Sequence, residues 1–372
     1  MASRPWLHPA VAGGHRGGGC ELPLTANMRV PFRSLVAVLV LGSTGLGCLF
    51  LAPTHRGPET DHFDGRSFFT PIKSGAKRPG LLTFAKWRLT RRQPPWTPYR
   101  EYAPGPRPPY QVGPGQMRVT FINHATTLIQ LDGVNILTDP IYSWRCSPFD
   151  FVGPRRTRPP GTRFEDLPRI DAVVISHNHY DHLDVPTLKR IVNRWPSVRI
   201  FAGLGNRSFL EQQGLPGVTE LDWWESRELK GITVRSVPSQ HGSGRALFDL
   251  DGTLWTAWVL EGKAGRAYFA GDTGYGPHFA KAARRRGPMR LAVLPVGAFE
   301  PPWLMGPVHE SPPQAVEAAR DLHAAMAVPI HFGTFELADD GQFEPVQLLE
   351  AALADAGVNF QILGFGEGRD VP

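Results

Sequence analysis

Ser176-His177-Asn178-His179-Tyr180-Asp181-His182-Leu183-Asp184 follows directly on the apolar run Ala172-Val173-Val174-Ile175, and the reading of this junction decides the fold. A run rich in β-branched residues reads as a buried strand, so three histidines and Asp181 emerge together on the loop at its end. His177 and His179 alternate along the extended exit and can share one metal ion. Asp181 and His182 sit about one turn further on and can share a second. The plain alternative is a histidine-rich surface loop, and what stands against it is a set of partners downstream.

Those partners come singly. His241 follows Ser236-Val237-Pro238-Ser239-Gln240, a strand end, and taken alone would be an ordinary loop histidine. Asp272, in Phe269-Ala270-Gly271-Asp272-Thr273-Gly274, ends another apolar strand, with glycines that let the backbone come close to an ion. His331 closes Val328-Pro329-Ile330 in the same way. Five histidines and two aspartates suit zinc first, with iron or manganese as the other options.

The order His177-x-His179-x-Asp181-His182, then His241, Asp272 and His331, resembles the dinuclear signature of the metallo-β-lactamase superfamily. It is most similar to the branch of N-acylphosphatidylethanolamine-hydrolysing phospholipases D. That likeness rests on Ser147-Pro148-Phe149 with Gly153-Pro154-Arg155-Arg156, on Glu220-Leu221-Asp222-Trp223-Trp224-Glu225 and on Pro238-Ser239-Gln240-His241. It rests further on Ala270-Gly271-Asp272-Thr273-Gly274-Tyr275, Pro295-Val296-Gly297-Ala298-Phe299-Glu300-Pro301 and Ile330-His331-Phe332-Gly333-Thr334-Phe335. The histidine box identifies the superfamily; the Asp-Trp-Trp-Glu and Gly-Ala-Phe-Glu-Pro stretches select the branch. Together they cover most of residues 117–365.

The resemblance implies an α/β, four-layer αββα sandwich with all seven ligands in loops at one end. It assigns His177, His179 and His241 to one zinc ion, Asp181, His182 and His331 to a second, and Asp272 to both, which makes Asp181 and Asp272 part of the catalytic apparatus. The implied reaction is hydrolysis of an N-acylphosphatidylethanolamine phosphodiester, giving phosphatidic acid and N-acylethanolamine. A lactonase or small-ester hydrolase of the same fold is the alternative, and a non-catalytic lipid-binding scaffold is a third reading that a complete ligand set opposes. His309 is a candidate to protonate the leaving group or touch the phosphate, against an ordinary loop histidine. Asp139, in Asp139-Pro140, is either a turn residue or an orienter of a ligand histidine; the resemblance favours the second role. Trp303, Leu304 and Met305, in a proline-bounded loop, would suit a lipid substrate. Gly306-Pro307-Val308 and Gly242-Ser243-Gly244 depart from the animal members, so acyl-chain preference does not carry over.

With 372 residues, 41% of them hydrophobic, the chain can bury a substantial core. A net charge of +6, with the basic residues dispersed apart from Arg284-Arg285-Arg286, argues against a nucleic-acid partner and is compatible with a membrane surface. Cys20, Cys48 and Cys146 form no pairing pattern.

Residues 1–33 are expected to be a disordered N-terminus, with Met28 a second candidate start. The uncharged stretch 34–53, preceded by Arg29 and Arg33 and followed by Glu59, Asp61 and Asp64, has about the ~20 residues that cross a membrane. An uncleaved anchor is favoured over a signal peptide, which places the bulk of the chain on the periplasmic side of a bacterial inner membrane. Residues 54–116 are rich in proline and arginine; they are expected to wrap the domain, with long regular elements excluded by the prolines. The hydrolase domain is 117–372. Oligomeric state stays open, a homodimer among the options.

Within that domain strands are expected at 119–122, 127–131, 135–138, 172–175, 198–201, 232–237, 254–260 and 266–270. Helices are expected at 188–195, 277–286, 312–323 and 346–356. Asp132-Gly133 reads as a hairpin turn.

Overall fold

The computed structural model describes residues 54–71, 80–246 and 248–372. The chain divides into two units, Met1–Leu51 and Ala52–Pro372. The first, with nearly all of the expected 34–53 anchor, lies outside the described residues; among those described, no helix is long and apolar enough to cross a membrane.

Three antiparallel strands open the domain: β1 (Met117–Asn123), β2 (Thr126–Leu131) and β3 (Val134–Thr138). Asp132 and Gly133 both take positive φ (49° and 84°), the geometry of the two-residue turn that matches strand twist. Parallel strands β4 (Ala172–Val174), β5 (Arg199–Gly203) and β6 (Val218–Leu221) follow, and β13 (Gly368–Asp370) returns beside β1. The seven-stranded sheet runs β13-β1-β2-β3-β4-β5-β6. The second sheet has the order β12-β11-β10-β9-β8-β7. Its members are β7 (Ser226–Leu229), β8 (Ile232–Val237), β9 (Ala257–Gly262), β10 (Gly265–Phe269), β11 (Leu291–Pro295) and β12 (Met326–Ile330).

Outside the first sheet lie α2 (Val185–Arg194) and α3 (Asn206–Gln212); Leu188, Ile191, Phe209 and Leu210 join the core residues Val173, Ile200 and Val218. On the second sheet's side lie α4 (His278–Arg286), α6 (Pro312–Asp321) and α7 (Glu344–Leu353), with a single turn, α5 (Pro302–Met305), between β11 and α6. A reciprocal Ser311–Gln314 capping box and a proline at the first helical position start α6. The architecture is the expected two-sheet sandwich with helices outside. Trp258 of β9, fully buried, ties the sheets by donating its indole N–H to the Ile175 carbonyl at 3.1 Å.

β1 is parallel to β3, and β3 to β4 and β5; in the other sheet β8, β10, β11 and β12 run the same way as one another. The C-terminal ends of β1, β3, β4, β8, β10 and β12 therefore open into loops that meet at one place.

Two expectations are corrected. The prolines of 54–116 do not exclude a regular element: residues 80–93 contain none, and Leu81–Thr90 forms a ten-residue helix, α1. The strand expected from Leu254 begins only at Ala257, because the Leu254 and Thr256 amides donate instead to the Leu204 and Ser176 carbonyls, across from the strand's own sheet. Additional elements, β6, β7 and α3, arise in stretches too short or too polar to announce a period, whereas β11 (Leu291-Ala292-Val293-Leu294-Pro295) is an apolar run that the sequence reading passed over.

The segment ahead of β1 packs on the domain at several points. Phe63 and Phe68 are buried with Trp223, Leu254 and Trp255, and the His55 and Phe68 amides donate to the Gly252 and Asp251 carbonyls. His62 lies between Asp61 (2.6 Å) and Asp222 (2.8 Å) and stacks on Trp223. Further on, the indoles of Trp87 and Trp96 donate to the Asp339 carboxylate and the Asp340 carbonyl.

Candidate metal centre

All seven sequence-derived candidates converge at that one end. His177, His179, Asp181 and His182 occupy the loop after β4, His241 the loop after β8, Asp272 the loop after β10, and His331 directly follows β12. His177 Nε2 lies 2.8 Å from His179 Nδ1, and His241 Nε2 lies 3.3 Å from the same atom. These three nitrogens form one cluster. His182 Nε2 is 3.1 Å from Asp272 Oδ2 and 3.2 Å from Asp181 Oδ2; His331 Nε2 is 3.2 Å and 3.4 Å from the same two oxygens. Asp272 Oδ2 also stands 4.0 Å from His177 Nε2 and 3.8 Å from His241 Nε2, so it faces both clusters.

The outward nitrogens explain why the inward ones point inward. His182 donates through Nδ1 to Asp139 (2.6 Å), and His241 through Nδ1 to the Val308 carbonyl (2.8 Å). Ser176 gives both its amide and its hydroxyl to Asp139, while its Oγ meets His177 Nδ1 at 2.9 Å. Hydrogen bonds of this kind fix which nitrogen is left with its lone pair free for a metal. Asp139 thus takes the orienting place. Gly271 (φ 61°) is required where the two strand ends cross, since a side chain there would collide with Ser176.

Burial holds His177, His179 and His241 below the usual imidazole range, helped in His177 by the neighbouring histidines; neutral imidazole is the form that binds metal. Burial opposes ionisation of Asp181 and Asp272, yet His182 and the other surrounding histidines outweigh it and hold both carboxyls well below their ordinary value. His331, against burial, is lifted to about 9 by Asp272 and Asp181. Two ionised carboxylates faced by imidazole nitrogens in a buried pocket are stable only with positive charge between them. His182 Nε2 and Asp272 Oδ1 have no hydrogen-bond partner among the described residues. The clustered histidines and carboxylates therefore fit metal binding.

His309 sits beside this set, its Nδ1 3.9 Å from Asp272 Oδ2 and its ring 5.1 Å from that of His241. Burial lowers it to about 4, so it is neutral near pH 7. Sequence reasoning missed His124, which turns the chain between β1 and β2 at φ 46° and places Nε2 2.9 Å from Asp181 Oδ2. Its signal was available: it follows an apolar strand at the same end, as His331 does.

A model of the Beta-lactamase superfamily domain matches residues 134–332, more than half of the chain. The chain belongs to the metallo-β-lactamase superfamily. Superfamily, fold and donor set are together those of a metal-dependent hydrolase. Among relatives, the chain is 42% identical over 228 residues to an N-acyl-phosphatidylethanolamine-hydrolyzing phospholipase D 1 of Caenorhabditis elegans, covering 59% of this chain and 64% of that protein. It is 32% identical over 243 residues to a mitochondrial protein of the same description in Saccharomyces cerevisiae, covering 62% of this chain and 50% of that one. The chain thus spans less than two thirds of the length of either. A possible metal-dependent hydrolase from Veillonella parvula superposes with a TM-score of 0.56 at 19% identity, over 68% of this chain and 99% of that one, a likeness of fold within the superfamily.

Proposed function

We propose that the protein hydrolyses the phosphodiester of N-acylphosphatidylethanolamine-type phospholipids, releasing N-acylethanolamine and leaving phosphatidic acid. The observation that carries the reading is the 42% identity to a relative described by that activity, in a chain whose donor set is complete. The branch-selective Asp222-Trp223-Trp224-Glu225 and Gly297-Ala298-Phe299-Glu300-Pro301 stretches support it, because each borders a ligand loop: Trp223 donates to the Trp255 carbonyl, and Trp255 in turn to the Ser239 carbonyl two residues before His241.

His177, His179 and His241 would hold one zinc ion, Asp181, His182 and His331 the other, with Asp272 shared. Bound there, such a pair would act as Lewis acid on the phosphoryl oxygens and lower the pKa of water towards ~7. The residues supply the rest. Asp139 and the Val308 carbonyl fix the tautomers of His182 and His241. His124 holds Asp181 by a hydrogen bond. Neutral His309 can give a hydrogen bond to the phosphate or the departing alcohol oxygen at pH 7.

The test is incubation of the zinc-loaded protein with N-acylphosphatidylethanolamine, with its non-acylated parent lipid and with a lactone, and identification of the products by mass spectrometry. N-acylethanolamine and phosphatidic acid are expected. Turnover of the lactone alone would transfer the reading to an ester hydrolase of the same fold. His179→Ala is expected to lower phospholipid hydrolysis by at least about 100-fold, consistent with loss of a ligand from the shared centre, and elemental analysis of the same sample to show reduced zinc.

A further inference from the structure

Six of the large apolar side chains exposed among the described residues, Phe149, Phe151, Val152, Phe248, Leu250 and Trp303, stand on three loops, and each loop is fastened to the metal centre. The first is Cys146–Pro154, closed at its base by the Arg145–Arg155 bridge and by the Cys146 amide bonded to the Pro154 carbonyl. Its tip carries Phe151, 77% exposed, with Phe149 and Val152 beside it. Its base packs Cys146 on Phe335 and Tyr180, the residue between ligands His179 and Asp181. The second loop carries Phe248, 89% exposed, and is held by Arg245, which donates to the Asn178 and Leu183 carbonyls of the histidine box. The third carries Trp303, 53% exposed, on α5, whose following turn gives the Val308 carbonyl to His241.

Beside the first loop runs α1. Trp87 is buried and pins it, whereas Leu82 and Leu89, seven residues apart and so on one face, are 88% and 86% exposed. Between α1 and the loop base lies a groove of about 560 Å³ lined by Arg88, Arg91, Arg145 and Arg155 against a single acidic residue, Glu336. Apolar tips that protrude separately, with arginines gathered between α1 and the first loop, suit a soft interface of acyl chains beneath anionic headgroups. A flat protein interface would call for one contiguous patch.

We propose that α1 and the Cys146–Pro154 loop dock the protein on an anionic lipid bilayer, the arginine groove taking headgroup phosphates and Phe151, Leu82 and Leu89 entering the acyl boundary. The inference deepens the phospholipid reading and rests on it, because docking at this face would set the mouth of the centre against the membrane that holds the substrate.

Hydrogen–deuterium exchange of the full chain tests it, with vesicles of phosphatidylcholine alone or mixed with phosphatidylglycerol and free of N-acyl phospholipid. Protection of 82–89 and 147–153 is expected with the anionic vesicles and not with the zwitterionic ones. Neutralising Arg88→Gln or Arg155→Gln is expected to reduce that protection about five-fold each, the equivalent of ~1 kcal/mol per arginine. Both positions are exposed, and unchanged melting temperatures would show that the variants remain folded. Equal protection by both lipids overturns the anionic part. No protection of these segments on vesicle-bound protein overturns the docking face. Protection that grows with protein concentration without lipid overturns it in favour of a second copy of the chain. Since no substrate is present, such a failure leaves hydrolysis of detergent-dispersed lipid standing as a separate result.

Discussion

Asp139 shows how much of the centre is built by residues that never meet the substrate. One carboxylate receives His182 Nδ1, the Ser176 hydroxyl and the Ser176 amide, so a single side chain sets both the tautomer of a ligand and the path of the loop that carries four of them. The seven candidate donors were legible because four crowd one strand end and the other three each close an apolar run. His124 was not read, although it obeys the same rule, because it stands outside the seven positions that carry the resemblance. Glu310 carries a consequence for pH. It is fully buried, both carboxyl oxygens lack a hydrogen-bond partner among the described residues, and burial raises its pKa well above the ordinary value. A raised acid favours folding while protonated, so its contribution is intact below the ordinary carboxylate range and is lost as pH climbs towards the folded value. Glu310→Gln should match the parent in acid and be progressively more stable than it on raising the pH, by at most about 1.4 kcal/mol per pH unit. Melting temperatures of both proteins across a pH series check this; a constant offset would mean that Glu310 is ionised in the folded state.

At the scale of elements, several strands were legible almost to the residue, as β3 and β8 are. β6 and β7 were not, because each is four residues long and partly exposed, and α1 was hidden by the prolines around it. Arg245 joins two loops, the one after β8 and the one after β4. It reaches from the loop after His241 to donate to the Asn178 carbonyl at 2.8 Å and the Leu183 carbonyl at 3.0 Å, with its guanidinium 3.8 Å from the centre of the Tyr180 ring. No period or motif marks it, since its partners are backbone atoms more than sixty residues away. Arg245→Met would keep much of the bulk and leave two carbonyls unpaired, each costing about 1–3 kcal/mol. The expected outcome is a lower melting temperature together with faster loss of metal to a chelator. A variant that melts lower yet retains its metal as the parent does would show that Arg245 supports the loop without positioning the ligands.

For the molecule as a whole, the seven donors come from four loops fed by both sheets, from β4 on one side and from β8, β10 and β12 on the other. Cations held among them would bind the folded chain and have no comparable site in the unfolded one, where these loops are scattered over more than 150 residues. Binding energy at such a centre is therefore folding energy. At a metal concentration about 1,000 times the dissociation constant, a site contributes roughly 4 kcal/mol, which for a domain of this size corresponds to a shift on the order of 10 °C in melting temperature. Removing metal with a chelator should lower the melting temperature by that order and abolish hydrolysis, and adding zinc back should restore both. His309→Ala separates the two effects: it should retain metal and the metal-dependent rise in melting temperature while losing most of its turnover. If His309→Ala instead binds less metal, the His241, Asp272 and His309 cluster acts as a ligand set, and the hydrogen-bonding role proposed for His309 falls.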